Sequence, residues 1–242
     1  WRTSLSALGA SQREAMMSEP KSQEWAMKVH GTRRGSAFYL VVRLLIRQIL
    51  ARWLRLRTSG TEHLAISGPV ILAPVHRSNL DGPLVAGVAR RRVRALGKES
   101  LFSSTLGAWI NSSLGAIPVR RGGADREAMR AAREVISTGE MMIVFPEGTR
   151  QSGPAIAGIF DGTAYLANKT GAPIIPIGIA GTEAAMGSGA RGVKRVRCAL
   201  VVGEPIEPPE GPMSRPALAE FSLAVTQALQ TVFDEAHALA DS

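Results

Sequence analysis

Residues Pro69-Val-Ile-Leu-Ala-Pro-Val-His-Arg-Ser-Asn-Leu-Asp81, with Gly-Pro-Leu-Val-Ala-Gly-Val-Ala89 behind them, decide the fold. The run 69–75 is apolar without alternation and too short for a stable helix, which is the pattern of a strand covered on both faces. Residues 80–89 read as the helix that leaves it. The same pairing recurs downstream. Strands are predicted at 93–97, 116–120, 141–145, 173–180 and 193–203, and helices at 100–113, 125–137, 160–169 and 214–239. Such alternation predicts an α/β fold: a single domain whose mixed, mostly parallel sheet is flanked by helices. Chemistry in folds of this kind collects beyond the carboxyl ends of the strands.

The chain has 242 residues, 45% of them apolar and 20% charged, enough for one sizeable core. With aromatics at 5%, aliphatic side chains must do most of the packing. One cysteine, Cys198, excludes an internal disulfide and a cysteine metal cluster, so no metal site is expected. It reads as a buried strand residue in a reducing compartment. The net charge of +9 attracts polyanions. No Cys/His finger, aromatic RNA-binding sheet motif or long basic tail accompanies it, so no nucleic-acid partner is expected. The arginines instead gather in a leucine-rich segment (Arg43, Arg47, Arg52, Arg55, Arg57) and near glycine-bearing loops (Arg90, Arg91, Arg92, Arg94, Arg120, Arg121).

Three regions are expected. Residues 1–24 are an N-terminal extension that can be disordered; they contain no apolar h-region, and Met16 and Met17 each read as a native start. Residues 25–57 are an amphipathic helical membrane-association segment, and 58–242 the α/β domain. Within 36–57, Arg43 and Arg47 interrupt the apolar run. Central arginines cost about 2.5–3.5 kcal/mol each on insertion, which argues against a spanning helix. The pattern predicts a helix lying in the interface, with those arginines snorkelling to lipid phosphates.

Three strand ends carry candidate chemistry. After the first comes His76, with Asp81 five residues on in the first turn of the next helix. A carboxylate there can hold one imidazole nitrogen and leave the other as a base. No Gly-x-Ser-x-Gly elbow supplies a nucleophile, so the pair is suited to activating a substrate's own hydroxyl. The second strand end reads Val119-Arg-Arg-Gly-Gly123, guanidinium groups beside glycines, which suits a phosphate. The third reads Phe145-Pro-Glu-Gly-Thr-Arg150, an acceptor, a hydroxyl and a cation together. His30, His63 and His237 lack such a setting and read as packing or surface residues.

The order His-x4-Asp, Gly-x4-Arg, Phe-Pro-Glu-Gly-Thr-Arg and Ile175-Pro-Ile177 resembles the 1-acylglycerol-3-phosphate acyltransferase (PlsC-like) family of glycerolipid acyltransferases. The resemblance covers roughly residues 55–205. It implies that His76 is the general base and Asp81 its partner. It further implies that Arg120 and Lys98 meet the acceptor phosphate, and that Glu147, Gly148, Thr149 and Arg150 hold glycerol and phosphate. Pro176 would shape the acyl-donor side. The implied reaction moves a fatty acyl group from a thioester to lysophosphatidic acid, giving phosphatidic acid. No cofactor is expected, because the acyl-CoA or acyl-carrier-protein thioester is itself a substrate. The implied partners are a lysophospholipid, the thioester, an anionic membrane surface and acyl carrier protein. The implied location is the cell membrane, peripheral or monotopic on its cytoplasmic face. Val75 stands where the family commonly has Asn, and Gln151 where it has Ser. Other acceptors (glycerol 3-phosphate, another lysophospholipid, a lyso-aminolipid) and a non-catalytic membrane scaffold stay open at this level.

Overall fold

A computed structural model describes residues 23–119, 125–156 and 158–242. Seven strands, β1 (Arg57–Ser59), β2 (Val70–Pro74), β3 (Val93–Lys98), β4 (Ala116–Val119), β5 (Met141–Ile143), β6 (Ile174–Ala180) and β7 (Ala199–Val202), follow the order β1-β7-β6-β2-β5-β3-β4. β2 pairs in parallel with β5 and β6, β3 with β5, and β1 with β7, while β6 and β7 run antiparallel. The sheet is therefore mixed and mostly parallel, as the alternation predicts. All five residues of β2 are buried, which is why its sequence shows no polar alternation.

The strand expected over 193–203 is shorter than its composition suggests. β7 starts at Ala199 because that residue meets the first residue of β1, Arg57, and the last of β6, Ala180. Ahead of it Lys194, Arg195 and Arg197 are exposed and lie outside the ladder. β1 itself, three exposed residues, carries no hydrophobic signal that could announce it.

The chain divides into two compact units, Leu40–Ala95 with Met129–Ser242, and Trp1–Tyr39 with Leu96–Ala128. This division does not follow the sequence boundary at residue 57. The larger unit holds the main core, in which Leu72, Val75, Leu84, Ile175, Ile177, Leu200 and Phe233 are buried together. The long closing helix, which we label α9 (Arg215–Asp241), is capped by Ser214 with proline in its first turn. It lays Phe221, Val225, Leu229, Val232 and Ala236 on β6 and β7 at helical spacing. The fit against β6 is close. A Cβ placed on Gly178 would lie 2.0 Å from the Val232 carbonyl oxygen. Gly178→Ala should therefore push α9 away and lower the unfolding free energy by about 1–3 kcal/mol, readable as a lower denaturation midpoint with an unchanged m-value.

Cys198 is buried immediately before β7. Burial first, and the Asp81 charge second, push its thiol up to about 12. The thiolate is the reactive form, so Cys198 should resist a thiol reagent near neutral pH in the folded protein and react fully once denatured. Labelling of the native chain at the rate of a free thiol would contradict this burial.

In the smaller unit, α1 (Gln23–Gly31) packs on α5 (Thr105–Ser113) and β4, and Phe38 meets Trp109 at 5.0 Å. The Ser104 hydroxyl accepts the Gly107 N–H and caps α5. The helix between α1 and β1, α2 (Arg33–Leu45), runs into a π-helical turn (Ile46–Leu50) and a short α3 (Ala51–Trp53). From residue 40 onward this segment belongs to the larger unit. Ile46 and Leu50 turn toward that unit's core. Leu40, Val41, Leu44, Leu45, Ile49 and Trp53 face solvent, each about half exposed or more. Arg43, expected to reach outward, points inward: its Nη2 donates to the Ala89 carbonyl at the end of α4 (Asp81–Val88). A free carbonyl at a helix C-terminus attracts a guanidinium, and this short-range bond overrides snorkelling. Among the described residues no helix is long and apolar enough to cross a membrane.

Candidate active site

The site grows out of the end of β2. Val75 donates its N–H to the Ile177 carbonyl at 3.0 Å, extending the pairing with β6 one residue beyond the strand. The chain then turns over His76, Arg77 and Ser78 into α4. Asp81, fully buried, organises that turn. Its Oδ2 accepts the N–H groups of Arg77 (2.7 Å) and Ser78 (2.6 Å) and lies 3.2 Å from His76 Nδ1. Its Oδ1 accepts the Thr182 hydroxyl at 2.7 Å. Asp81, the first residue of α4, thus reaches back to fix the turn that precedes the helix and orients the imidazole. With Nδ1–H donated to Asp81, His76 Nε2 is left as the acceptor. The ring is 17% exposed and stacks on Phe145 at 3.9 Å and 24°. It therefore has one orientation and one open nitrogen.

Sequence reasoning singled out Glu147 and passed over Arg77. The structure joins them. Arg77 is buried, and its Nη1 donates to both Glu147 oxygens, at 2.7 and 2.8 Å. Its Nε donates to the Gly153 carbonyl (3.0 Å) and its Nη2 to the Ala155 carbonyl (3.2 Å), and the guanidinium lies 5.0 Å from the Phe233 ring centre. Glu147 Oε2 also accepts the His76 N–H at 2.8 Å, while Gln151 donates its N–H to the His76 carbonyl at 2.8 Å. The carboxylate of Glu147 thus lies inside the protein, tying the loop after β5 to the turn that carries His76.

Gly148, Thr149 and Arg150 occupy the outer part of the same loop and are exposed. Gly148 is left-handed (φ 69°), and the exposed Phe160 ring lies over it where a Cβ would stand 2.8 Å away. Only glycine suits both demands. The Arg150 guanidinium has no hydrogen-bond or ion-pair partner among the described residues. Lys98 closes β3 in the smaller unit and is exposed. Arg120 lies outside the described residues. Pro176 is buried within β6, in register with Ala73.

Two further contributors come from α8 (Thr182–Met186): Thr182, already described, and the Met186 carbonyl, which accepts the Ser78 hydroxyl at 2.6 Å. A five-residue helix leaves no periodic signal, so sequence reading had no means to find them. Glu183 of the same helix accepts the Gly153 N–H at 3.1 Å, and Gln230 of α9 accepts the Ile156 N–H at 2.8 Å. The remaining histidines lie elsewhere: His63 against the Val202 carbonyl, His237 beside Phe233, His30 edge-on to Tyr39. Among the described residues no group of three or more His, Cys, Asp or Glu side chains could hold a metal ion.

Chemically, the arrangement holds an imidazole with Nδ1 against a buried carboxylate, and an exposed hydroxyl and cation on the adjoining loop. The sequence profile of the family described as Acyltransferase matches residues 55–180. The chain is 27% identical over 137 residues to the chloroplastic 1-acyl-sn-glycerol-3-phosphate acyltransferase BAT2 of Brassica napus, spanning 55% of this chain and 40% of that protein. It is 27% identical over 201 residues to 1-acyl-sn-glycerol-3-phosphate acyltransferase alpha of Homo sapiens, spanning 81% of this chain and 70% of that protein. Its fold is similar to the crystal structure of the 1-acyl-sn-glycerophosphate acyltransferase PlsC from Thermotoga maritima, with a TM-score of 0.66 and 23% identity over 90% of this chain and 92% of that one.

Proposed function

This chain belongs to the acyltransferase family, and from that premise we propose that it transfers a fatty acyl group from a thioester to the free hydroxyl of 1-acylglycerol 3-phosphate. The observation that carries the proposal is the His76–Asp81 pair, held at the end of β2 with Nε2 open, while the one serine of the same turn, Ser78, donates its hydroxyl to the Met186 carbonyl. A base so placed serves a hydroxyl brought by the substrate. The acceptor oxygen attacks the thioester carbonyl carbon as its proton passes to His76 Nε2. Asp81 stabilises the imidazolium through Nδ1–H. The tetrahedral intermediate then collapses with cleavage of the C–S bond. The thiolate takes the proton from His76, which restores the neutral imidazole and releases the free thiol.

In this reading Arg150, exposed on the loop after β5, meets the acceptor phosphate; Lys98 and Arg120 are the further phosphate ligands that the family resemblance implies. Thr149 is a hydroxyl at hand for the glycerol. Glu147 is assigned a supporting role, since its oxygens are already taken by Arg77 and the His76 N–H. The solvent-facing ridge of Leu40, Val41, Leu44, Leu45, Ile49 and Trp53 is read as the surface that rests in a lipid leaflet, so that an amphiphilic acceptor reaches the site laterally.

The deciding experiment is release of free thiol from palmitoyl-CoA, or from palmitoyl acyl carrier protein, with lysophosphatidic acid present, followed by lipid chromatography. Release that depends on the acceptor, with phosphatidic acid as product, is the expected result. Failure with both donors would remove the proposal.

A further inference from the structure

We propose that the segment bearing the apolar ridge also carries a binding site for the phosphate of an anionic phospholipid headgroup, formed by Arg43, Arg47, Arg52, Arg55 and Arg90. The proposal rests on the membrane-surface reading above; it does not need the acyl-transfer chemistry.

Two adjoining clefts of about 570 and 530 Å³ lie along the π-turn, α3 and the C-terminal end of α4, sharing Arg47, Ala51 and Leu56. The five arginines line them together with Gln48 and the threonines 58 and 61, and no carboxylate lines either. Like charges this close repel one another, and an anion between them reverses that repulsion. The existing partners do not do so. Arg52 donates to Gln48 and Arg43 to the Ala89 carbonyl, both uncharged groups. Arg43 Nε is buried without a partner. The side chains of Arg47, Arg55 and Arg90 have no hydrogen bond or ion pair among the described residues.

The backbone gives an independent sign. Helix α3 ends with Arg55 N–H bonded to the Arg52 carbonyl (3.1 Å) and Leu56 N–H to the Ala51 carbonyl (2.8 Å), a Schellman arrangement. Its left-handed position is ordinarily glycine, but here it is Arg55, with φ 46°. No other non-glycine residue among those described has a positive φ. Holding a bulky cation there carries a backbone strain that glycine would avoid.

Geometry chooses a lipid phosphate over a free one. The clefts belong to the same stretch, residues 40–56, that exposes Val41, Leu45 and Ile49 at helical spacing. An interfacial helix sinks its apolar face roughly 5–10 Å into the boundary between headgroups and acyl chains, and a helix is itself about 10 Å across. Clefts beside that ridge then sit at the depth of the phosphates. Arg195, whose guanidinium lies 5.6 Å from the Trp53 ring centre, adds a cation on the same side.

The test is partition onto vesicles of phosphatidylcholine, alone or mixed with phosphatidylglycerol, at physiological ionic strength. One double variant, R47Q/R55G, removes two site cations. A control, R130Q/R133Q, removes the same charge from the exposed part of α6 (Asp125–Ser137). At about 1 kcal/mol for each cation at the surface, R47Q/R55G should lose about 30-fold in partition to the anionic vesicles, and the control no more than about 3-fold. R55G alone should melt no lower than wild type, because glycine is at ease in that backbone, while still binding the anionic vesicles more weakly. R90Q, outside any helix, should lose about 5-fold and gives a second reading free of the helix end. Equal losses for the two double variants would mean diffuse charge and overturn the site. Release of wild type from anionic vesicles by millimolar inorganic phosphate, with a raised melting temperature, would mean a free-phosphate site and overturn the lipid assignment. Thiol release does not enter these readings. An inactive chain with the stated partition pattern keeps this site and loses only the reaction, whereas an active chain whose R47Q/R55G partitions like wild type loses only this site.

Discussion

His76→Ala is expected to lower kcat for acyl transfer by about 10³-fold while leaving the melting temperature within a degree or two of wild type. The ring is partly exposed and stacked on Phe145, so its removal opens little core. The main-chain bonds of residue 76, to Glu147 Oε2 and from the Gln151 N–H, survive in alanine. KM for lysophosphatidic acid should change little, because the lost interaction is with a proton that moves only in the transition state. Asp81→Asn should behave differently. Asp81 accepts from four donors, and an amide turned toward any of them presents N–H to N–H or N–H to O–H. It should lose activity and stability together. A His76→Ala protein with more than about a tenth of wild-type turnover would remove His76 as the base.

Glu147→Ala is the second large effect, and it should appear first in stability. Removing one member of a buried ion pair leaves the other charge without compensation, at about 3–5 kcal/mol. Here Arg77 would remain buried, its Nη1 deprived of both carboxylate oxygens. For a chain of this length the melting temperature should fall by roughly 6–20 °C. Arg77→Ala should cost a similar amount, since it strands the carboxylate and frees the carbonyls of Gly153 and Ala155. The double variant R77M/E147L should be less destabilised than the sum of the two alanine variants, because it removes the charges together and refills the space. In the protein that stays folded, kcat should fall more than KM rises, as the His76 turn loses a tie. If Glu147→Ala melted like wild type and only KM rose, the carboxylate would be a substrate ligand.

Much of this was legible in the chain. The unbroken apolar run at 69–75 announces a central strand because burial on both faces erases alternation, and β2 is such a strand. His76 and Asp81 were legible because they stand five residues apart across a strand end, so local geometry brings them together. Arg77 was not: an arginine in a loop ordinarily faces water, and its partner lies 70 residues away. The inward turn of Arg43 was hidden for a related reason. Helical spacing assigns it a face, but only tertiary packing reveals that this face meets the Ala89 carbonyl. Thr182 and Met186 depend on a helix too short to have a period. Sequence pattern thus located the sheet, and spacing the turn that brings His76 to Asp81, while the bonds that brace them are long-range and left no local trace.

The loop after β5 has a consequence for altering acceptor choice. Residues 147–156 are pinned at Glu147, Gly148, Gln151, Gly153, Ala155 and Ile156 by bonds to other parts of the larger unit or within the turn. Loops that move independently accept insertions and protease nicks; this one is cross-linked like core. Lengthening it, or transplanting it from a relative with a different length, should act as a core lesion. Two of its exposed positions, Thr149 and Arg150, can be exchanged residue for residue without disturbing those pins; only the side-chain bond from Gln151 to Thr149 is lost. Under the proposed function, a change of acceptor is therefore open to side-chain substitution in this loop and closed to changes in its length.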